Sequence, residues 1–150
     1  MKIEIREAKA QDAETIASFN QGIAEETEGK HLDEATILAG VSRLLAEPSR
    51  GRYWLAEVDG RVVGQTMVTY EWSDWRNGNV WWLQSVYVIS DFRRKGVFTA
   101  LYAEIESLAR QDADACGIRL YVEKQNERAQ ATYRALGMRS DTYLVMESMF

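Results

Sequence analysis

Cysteine is nearly missing from this chain. Cys116 stands alone, which excludes an internal disulfide and any cysteine-rich metal site and fits a reducing compartment. Histidine is as scarce: His31 is the only one, with no ligand-spaced partner, so no metal is expected. A lone imidazole in a loop reads as a surface residue more readily than as a catalyst. Long apolar runs are absent too. None approaches the ~20 residues of a membrane span, and the opening Lys2-Ile3-Glu4-Ile5-Arg6 alternates like a strand, unlike a signal peptide. An excess of positive charge is also lacking. The formal net charge is −5 over 150 residues, which argues against a nucleic-acid binder held by bulk electrostatics. No repeat, linker or low-complexity tract breaks the chain, so one domain over residues 1–150 is expected. With 46% hydrophobic and 27% charged residues, the composition is that of a folded globular protein. The default expectation is cytoplasmic, with no membrane and no nucleic-acid partner.

What is present centres on Leu83 to Leu108. Val86, Tyr87, Val88 and Ile89 are β-formers, and Ser90-Asp91 offers turn chemistry. Val97, Leu101, Ile105 and Leu108 then recur at helical spacing on one face. Between strand and helix lies Arg93-Arg94-Lys95-Gly96. A helix start already carries main-chain N–H groups without intrahelical partners and a positive dipole end. Cations there are unfavourable unless an anion sits among them, and phosphate is the usual guest. A solvated surface cluster is the competing reading.

In chain order, residues 2–6 predict a first strand. Asp12 is placed to cap a helix with Ile16, Phe19 and Ile23 on one face. That helix ends in Glu25, Glu26, Glu28 and Gly29, either a solvated acidic turn or an electronegative lip for a cationic substrate. Asp33 is placed to cap a second helix, with Ile37, Val41 and Leu44 inward and Pro48 closing it. Residues 53–58 and 61–70 around Asp59-Gly60 predict a hairpin. Residues 72–79 form a longer connection, whose Trp72 and Trp75 could cover a sheet edge, wall an acceptor pocket or form an interface. Strand 80–89 follows, then the long helix, ended by Gly117. Ile118 to Glu123 predicts a strand parallel to 80–89 through a right-handed crossover. Asn126 caps a last helix with Ala129, Thr132, Tyr133 and Leu136 on one face, closed by Gly137. Residues 142–148 predict a final strand. The fold class is therefore mixed α/β (α+β): a mostly antiparallel sheet with one parallel βαβ crossover, and helices on both faces.

Arg93-x-x-Gly96 on the crossover, followed by Asn126, Ala129, Tyr133 and Gly137, resembles the GCN5-related N-acetyltransferase (GNAT) superfamily over nearly the whole chain. The later group meets that family's Asn-x-x-Ala-x-x-x-Tyr-x-x-x-Gly in full. The first meets Gln/Arg-x-x-Gly-x-Gly/Ala except at Phe98, where the family has a small residue. The resemblance implies acetyl-CoA as donor substrate and a small amine or a peptide amine as acceptor. The pyrophosphate would rest on amides from Arg94 through Lys95, Gly96, Val97 and Phe98 to Thr99, with charge from Arg93 to Lys95. The pantetheine arm would pair with the main chain of Val86 and Val88, beside Tyr87, and would bond Asn126. The Val88 N–H would face the thioester oxygen, and Tyr133 would protonate the departing sulfur. By spacing alone, Tyr133 reads first as a helix-face core tyrosine.

The general base is not evident. Many relatives carry a glutamate five residues before the asparagine, where this chain has Tyr121; Glu26, Glu71 and Glu123 are the remaining candidates, directly or through water. The acidic 25–28 run favours a cationic acceptor such as a polyamine or aminoglycoside. A protein N-terminus or lysine is equally open. Two other readings stand beside the enzyme: a non-catalytic acyl-CoA-binding regulatory module, and a homodimer-forming scaffold with Trp72 and Trp75 at the contact.

Overall fold

The computed structural model describes residues 1–150, which divide into two compact units, Met1–Leu120 and Tyr121–Phe150. The first unit is built on a five-stranded sheet in the order β1-β2-β3-β4-β5. Its strands are β1 (Glu4–Glu7), β2 (Arg52–Val58), β3 (Arg61–Ser73), β4 (Gly78–Val88) and β5 (Ala115–Leu120). All neighbours are antiparallel except β4 and β5, which run parallel around the crossover helix. The meander followed by one crossover matches the expected class.

The β2–β3 hairpin turns at Asp59 and Gly60, with φ of 50° and 76°. Positive φ at both central residues matches the twist of the flanking strands, which is why Asp-Gly occupies this turn. The β3–β4 hairpin is longer than the sequence indicates. Pairing continues through Trp72 with Asn79 and Ser73 with Gly78, so the expected long connection shrinks to residues 74–77. Trp72 and Trp75 stay exposed near this tip.

Helices α1 (Ala13–Glu28) and α2 (Glu34–Ala46) cover one face of the sheet. Ile16 and Val41 pack there against Tyr53 and Leu55. Asp33 caps α2 as expected, accepting the Thr36 N–H at 3.0 Å. Asp12 does not cap α1. Its carboxylate receives two bonds from the Arg6 guanidinium, at 2.8 and 2.9 Å, and one from the Lys9 N–H at 2.7 Å. A bidentate charged pair outcompetes a single capping bond. The residue ties β1 to the turn before α1 instead.

Helix α3 (Val97–Gln111) covers the opposite face and buries Val97, Leu101, Tyr102, Ile105 and Ala109, close to the expected stripe. It ends at Asp112, not at Gly117, which lies inside β5. The strand starts three residues earlier than predicted because Asn79, Val80 and Trp81 offer ladder partners to Ala115, Gly117 and Ile118.

In the second unit, α4 (Glu127–Ala135) is capped by Asn126, whose Oδ1 accepts the Ala129 N–H at 3.1 Å. Ala129, Tyr133 and Leu136 are half-buried, Thr132 is exposed, and Gly137 follows at φ 93°. Residues 142–148 form no strand, contrary to expectation. Tyr143, Leu144, Val145 and Met146 are exposed. A strand is made by its ladder, and β-forming side chains without a paired neighbour do not create one. No helix is long and apolar enough to cross a membrane.

The start of α3 is seated on β3 at Gly64. A Cβ there would lie 2.9 Å from Val97 Cγ1 and 3.2 Å from the Tyr87 carbonyl oxygen. Gly64→Ala is expected to destabilise the fold by about 1–3 kcal/mol through overpacking, measured by urea denaturation.

Candidate active site

The site begins with an irregularity in the sheet. Met67 pairs with Gln84 and Gln65 pairs with Tyr87, so Ser85 and Val86 together oppose Thr66. This is a β-bulge, and Ser85 adopts φ 51° to make it. Side chains of β3 bond the main chain at the bend. Gln65 Nε2 donates to the Ser85 carbonyl at 3.1 Å, and Thr66 Oγ1 donates to the Gln84 carbonyl at 3.4 Å. Gln65 Nε2 also reaches Asn20 Oδ1 at 3.2 Å, and Asn20 Nδ2 donates to the Tyr53 hydroxyl at 3.1 Å. All four side chains are buried. A chain of polar groups thus runs from α1 through β2 and β3 to hold the bend in β4.

Beyond the bulge, one edge of β4 is open. Its parallel pairing with β5 stops at Leu83 and Leu120. The Ile89 N–H donates to the Val63 carbonyl at 3.0 Å, which makes Val88 and Gly64 a non-hydrogen-bonded pair. The Val88 N–H and C=O therefore point away from β3, toward the open edge, and strand alternation turns Val86 the same way and Tyr87 back to β3.

The Val88 carbonyl accepts from Arg93 Nε at 2.8 Å. Arg93 Nη2 lies 2.7 Å from Glu26 Oε1, and its guanidinium sits 5.5 Å from the Tyr87 ring centroid. The cation nearest the strand thus braces β4 to the end of α1. Burial pushes the Glu26 carboxyl up, but hydrogen bonds from Arg93 and Tyr87 outweigh it and hold the group below its usual range. The Tyr87 phenol is raised, by burial first and then by Glu26.

The turn before α3 has Arg94 at φ 62° and Gly96, its N-cap, at φ 82°. Glycine carries no Cβ penalty in that region. The first intrahelical bond runs from the Ala100 N–H to the Gly96 carbonyl at 3.0 Å. Main-chain N–H groups ahead of it point along the helix axis, the arrangement that receives anions. Arg94 and Lys95 are exposed, the latter with Nζ 5.5 Å from the Phe92 ring centroid. Thr99 is exposed, and Val97 is buried against Gly64. The half-buried Phe98 ring lies beside Tyr102, centroids 6.2 Å apart.

Two cavities lie between the sheet and α1. The smaller, about 200 Å³, is lined by Ile23, Glu26, Thr27, Val86, Tyr87, Val88 and Arg93. The larger, about 540 Å³, extends between α1 and α2 and reaches Ser85. Ile23 and Thr27 belong to both, so the cavities meet at the bulge. Trp72, Trp75 and His31 line neither.

Of the candidate bases, Glu71 is held by Arg119 Nη1 at 3.0 Å and Trp82 Nε1 at 3.3 Å, opposite Val80 near the far end of β4. Only Glu26 lines a cavity, and it is ion-paired. In the second unit, Tyr121 and Glu123 are exposed, and burial raises the Tyr133 phenol above its usual range. Gln65, Thr66, Asn20 and Tyr53 were not singled out from sequence. Their signal was Gln65-Thr66, two adjacent polar residues within the apolar run of β3.

Residues 13–138 match the model of the acetyltransferase (GNAT) family. The crystal structure of a possible acetyltransferase from Clostridium difficile 630 is similar at 48% identity, covering 100% of this chain and 99% of that one, with a TM-score of 0.91. A predicted acetyltransferase from Clostridium acetobutylicum, solved with acetyl-CoA, covers 97% and 96% at 18% identity and a TM-score of 0.78. A ribosomal-protein-alanine N-acetyltransferase from Brucella melitensis biovar Abortus 2308 covers 99% of each chain at 17% identity and a TM-score of 0.79. The last two share the fold. None of the curated proteins compared matches the chain.

Gln65→Leu removes the donor to the Ser85 carbonyl and to Asn20. It is expected to cost about 1–3 kcal/mol, the penalty for buried acceptors left unmade, read from the urea midpoint.

Proposed function

The chain belongs to the GNAT acetyltransferase family, and from that premise we propose that it moves the acetyl group of acetyl-CoA to a primary amine by direct attack in a ternary complex. The observation that carries this reading is the open edge of β4 beside the bulge, where the Val88 N–H is directed outward next to a cavity.

Acetyl-CoA is a substrate here, and the residues present suit it. Amides from Arg94 to Thr99 at the start of α3 receive the pyrophosphate, with Arg94 and Lys95 adding charge. Val86 and Val88 offer the pantetheine arm main-chain groups, as a sheet edge does for an added strand. Arg93 contributes from the side, fixing Val88 by its carbonyl. Asn126 bonds the arm through its amide nitrogen, its Oδ1 being used in the helix cap.

The Val88 N–H stabilises the oxyanion that develops on the thioester carbonyl. Tyr133 gives its proton to the departing sulfur. A phenol raised by burial stays protonated through neutral pH, which suits a donor. Glu26 is a weak base because Arg93 and Tyr87 stabilise its ionised form. The acceptor therefore loses its proton to solvent before attack.

Three outcomes are expected. Acetyl-CoA raises the melting temperature by mass action; a protein with no thermal shift and no release of free thiol with any amine would overturn the reading. Tyr133→Phe lowers kcat by about 10²–10⁴-fold with little change in the acetyl-CoA Kd, whereas a regulatory binder would have no rate to lose. With Glu26 already ionised, kcat/KM rises with pH up to the ordinary pKa of the free amine and shows no lower carboxylate limb; an acid limb removed by Glu26→Gln would reinstate Glu26 as base.

A further inference from the structure

The larger cavity is walled mainly by carbon, from Ile23, Leu32, Ile37, Val41, Leu44 and Met67. Its buried polar neighbours are already engaged: Asn20 bonds Tyr53 and Gln65. The acidic run ending α1 supplies little free charge. Glu25 lines neither cavity, Glu26 is paired with Arg93, and Glu28, the one carboxylate lining the larger cavity, lies 3.5 Å from Lys30 Nζ. A volume of about 540 Å³ suits a small molecule more than a side chain.

Gly40 adds an independent observation. It sits inside α2, where glycine weakens a helix relative to alanine. It lines this cavity, and a Cβ built on it meets no atom within 4 Å. Gly40 is exposed, so a side chain at position 40 would meet open space at the rim of the cavity.

Building on the acetyl-transfer reading above, we propose that the acceptor is a primary amine on an uncharged apolar body, with the body in the larger cavity and the nitrogen at the Ser85 bulge. A polyamine or aminoglycoside would place further ammonium groups against a mainly aliphatic wall with Glu28 as its one carboxylate, and a buried charge without a partner is costly. The proposal departs from the polycationic acceptor that the acidic run suggested. In the reaction the nitrogen lone pair attacks the thioester carbon, the C–N bond forms and the C–S bond breaks. The sulfur keeps the electron pair and takes the Tyr133 proton, and the proton that nitrogen sheds after attack restores the phenol through solvent, giving the N-acetylated amine and free CoA thiol.

The test is thiol release from acetyl-CoA with ethylamine, butylamine, hexylamine, octylamine and phenethylamine, set against putrescine, spermidine and kanamycin. kcat/KM is expected to climb by about fourfold per added methylene, the equivalent of one buried CH₂, until the cavity is full. Gly40→Leu is expected to lower the octylamine-to-ethylamine ratio of kcat/KM by about tenfold, and Gly40→Ala by less; circular dichroism checks that both variants remain helical. Higher kcat/KM for spermidine or kanamycin than for octylamine would overturn the inference. So would a rate that grows with donor chain length from acetyl-CoA to hexanoyl-CoA, which would assign the cavity to the acyl group. If acetyl-CoA raises the melting temperature but no apolar amine reacts, this inference falls and donor binding stands. If acetyl-CoA itself does not bind, the acetyl-transfer reading falls and this inference with it.

Discussion

Ser85 holds β4 in a conformation that serine ordinarily avoids, and the site is arranged around that bend. A left-handed φ at a non-glycine residue costs roughly 1–2 kcal/mol, and the bulge sets Ser85 and Val86 together opposite Thr66. Gln65 and Thr66 donate to the Ser85 and Gln84 carbonyls from the neighbouring strand. Gln65 Nε2 also donates to Asn20, which in turn donates to the Tyr53 hydroxyl, while the buried Gln65 Oε1 has no partner. The polar network and the irregular strand therefore form one unit.

The bend has two geometric consequences. It directs Val86 and Val88 toward an edge that β5 no longer covers, and it opens the larger cavity to Ser85. A second constraint acts just beyond it. Arg93 connects the Val88 carbonyl to Glu26 on α1, so the end of β4 is held from the helix side as well as through β3. Such a partly exposed ion pair contributes little to stability, of order 0–1 kcal/mol. Its value is positional: it occupies the carbonyl of Val88 while the N–H of the same residue stays directed outward. It also holds the Glu26 carboxyl below its usual range.

Charge counted along the chain and charge placed in space differ. The run of glutamates ending α1 suggests an electronegative lip. In the folded chain Glu26 is matched by Arg93 and Glu28 by Lys30, and the wall beside them is aliphatic. Which face each residue of a helix end presents, and what lies opposite, depends on contacts between residues more than sixty positions apart. Glu26 and Arg93 are such a pair.

Local chemistry was legible in the sequence wherever a residue's partner lay within a few positions. Asp59-Gly60 dictated its turn through backbone sterics, Asp33 and Asn126 their caps through hydrogen bonds three residues long, and Val97, Leu101 and Ile105 their buried face through helical period. Tertiary structure decided the rest, because the deciding partner was remote. Asp12 left its expected cap for Arg6. Residues 142–148 lacked the neighbour that would have made them a strand. Gln65 became a brace only when Ser85 came to lie against it, and the cavity beside Gly40 exists only because two helices and three strands enclose it. Short-range hydrogen bonding and periodicity are written residue by residue, whereas a cavity, a bulge and an ion pair are properties of segments brought together.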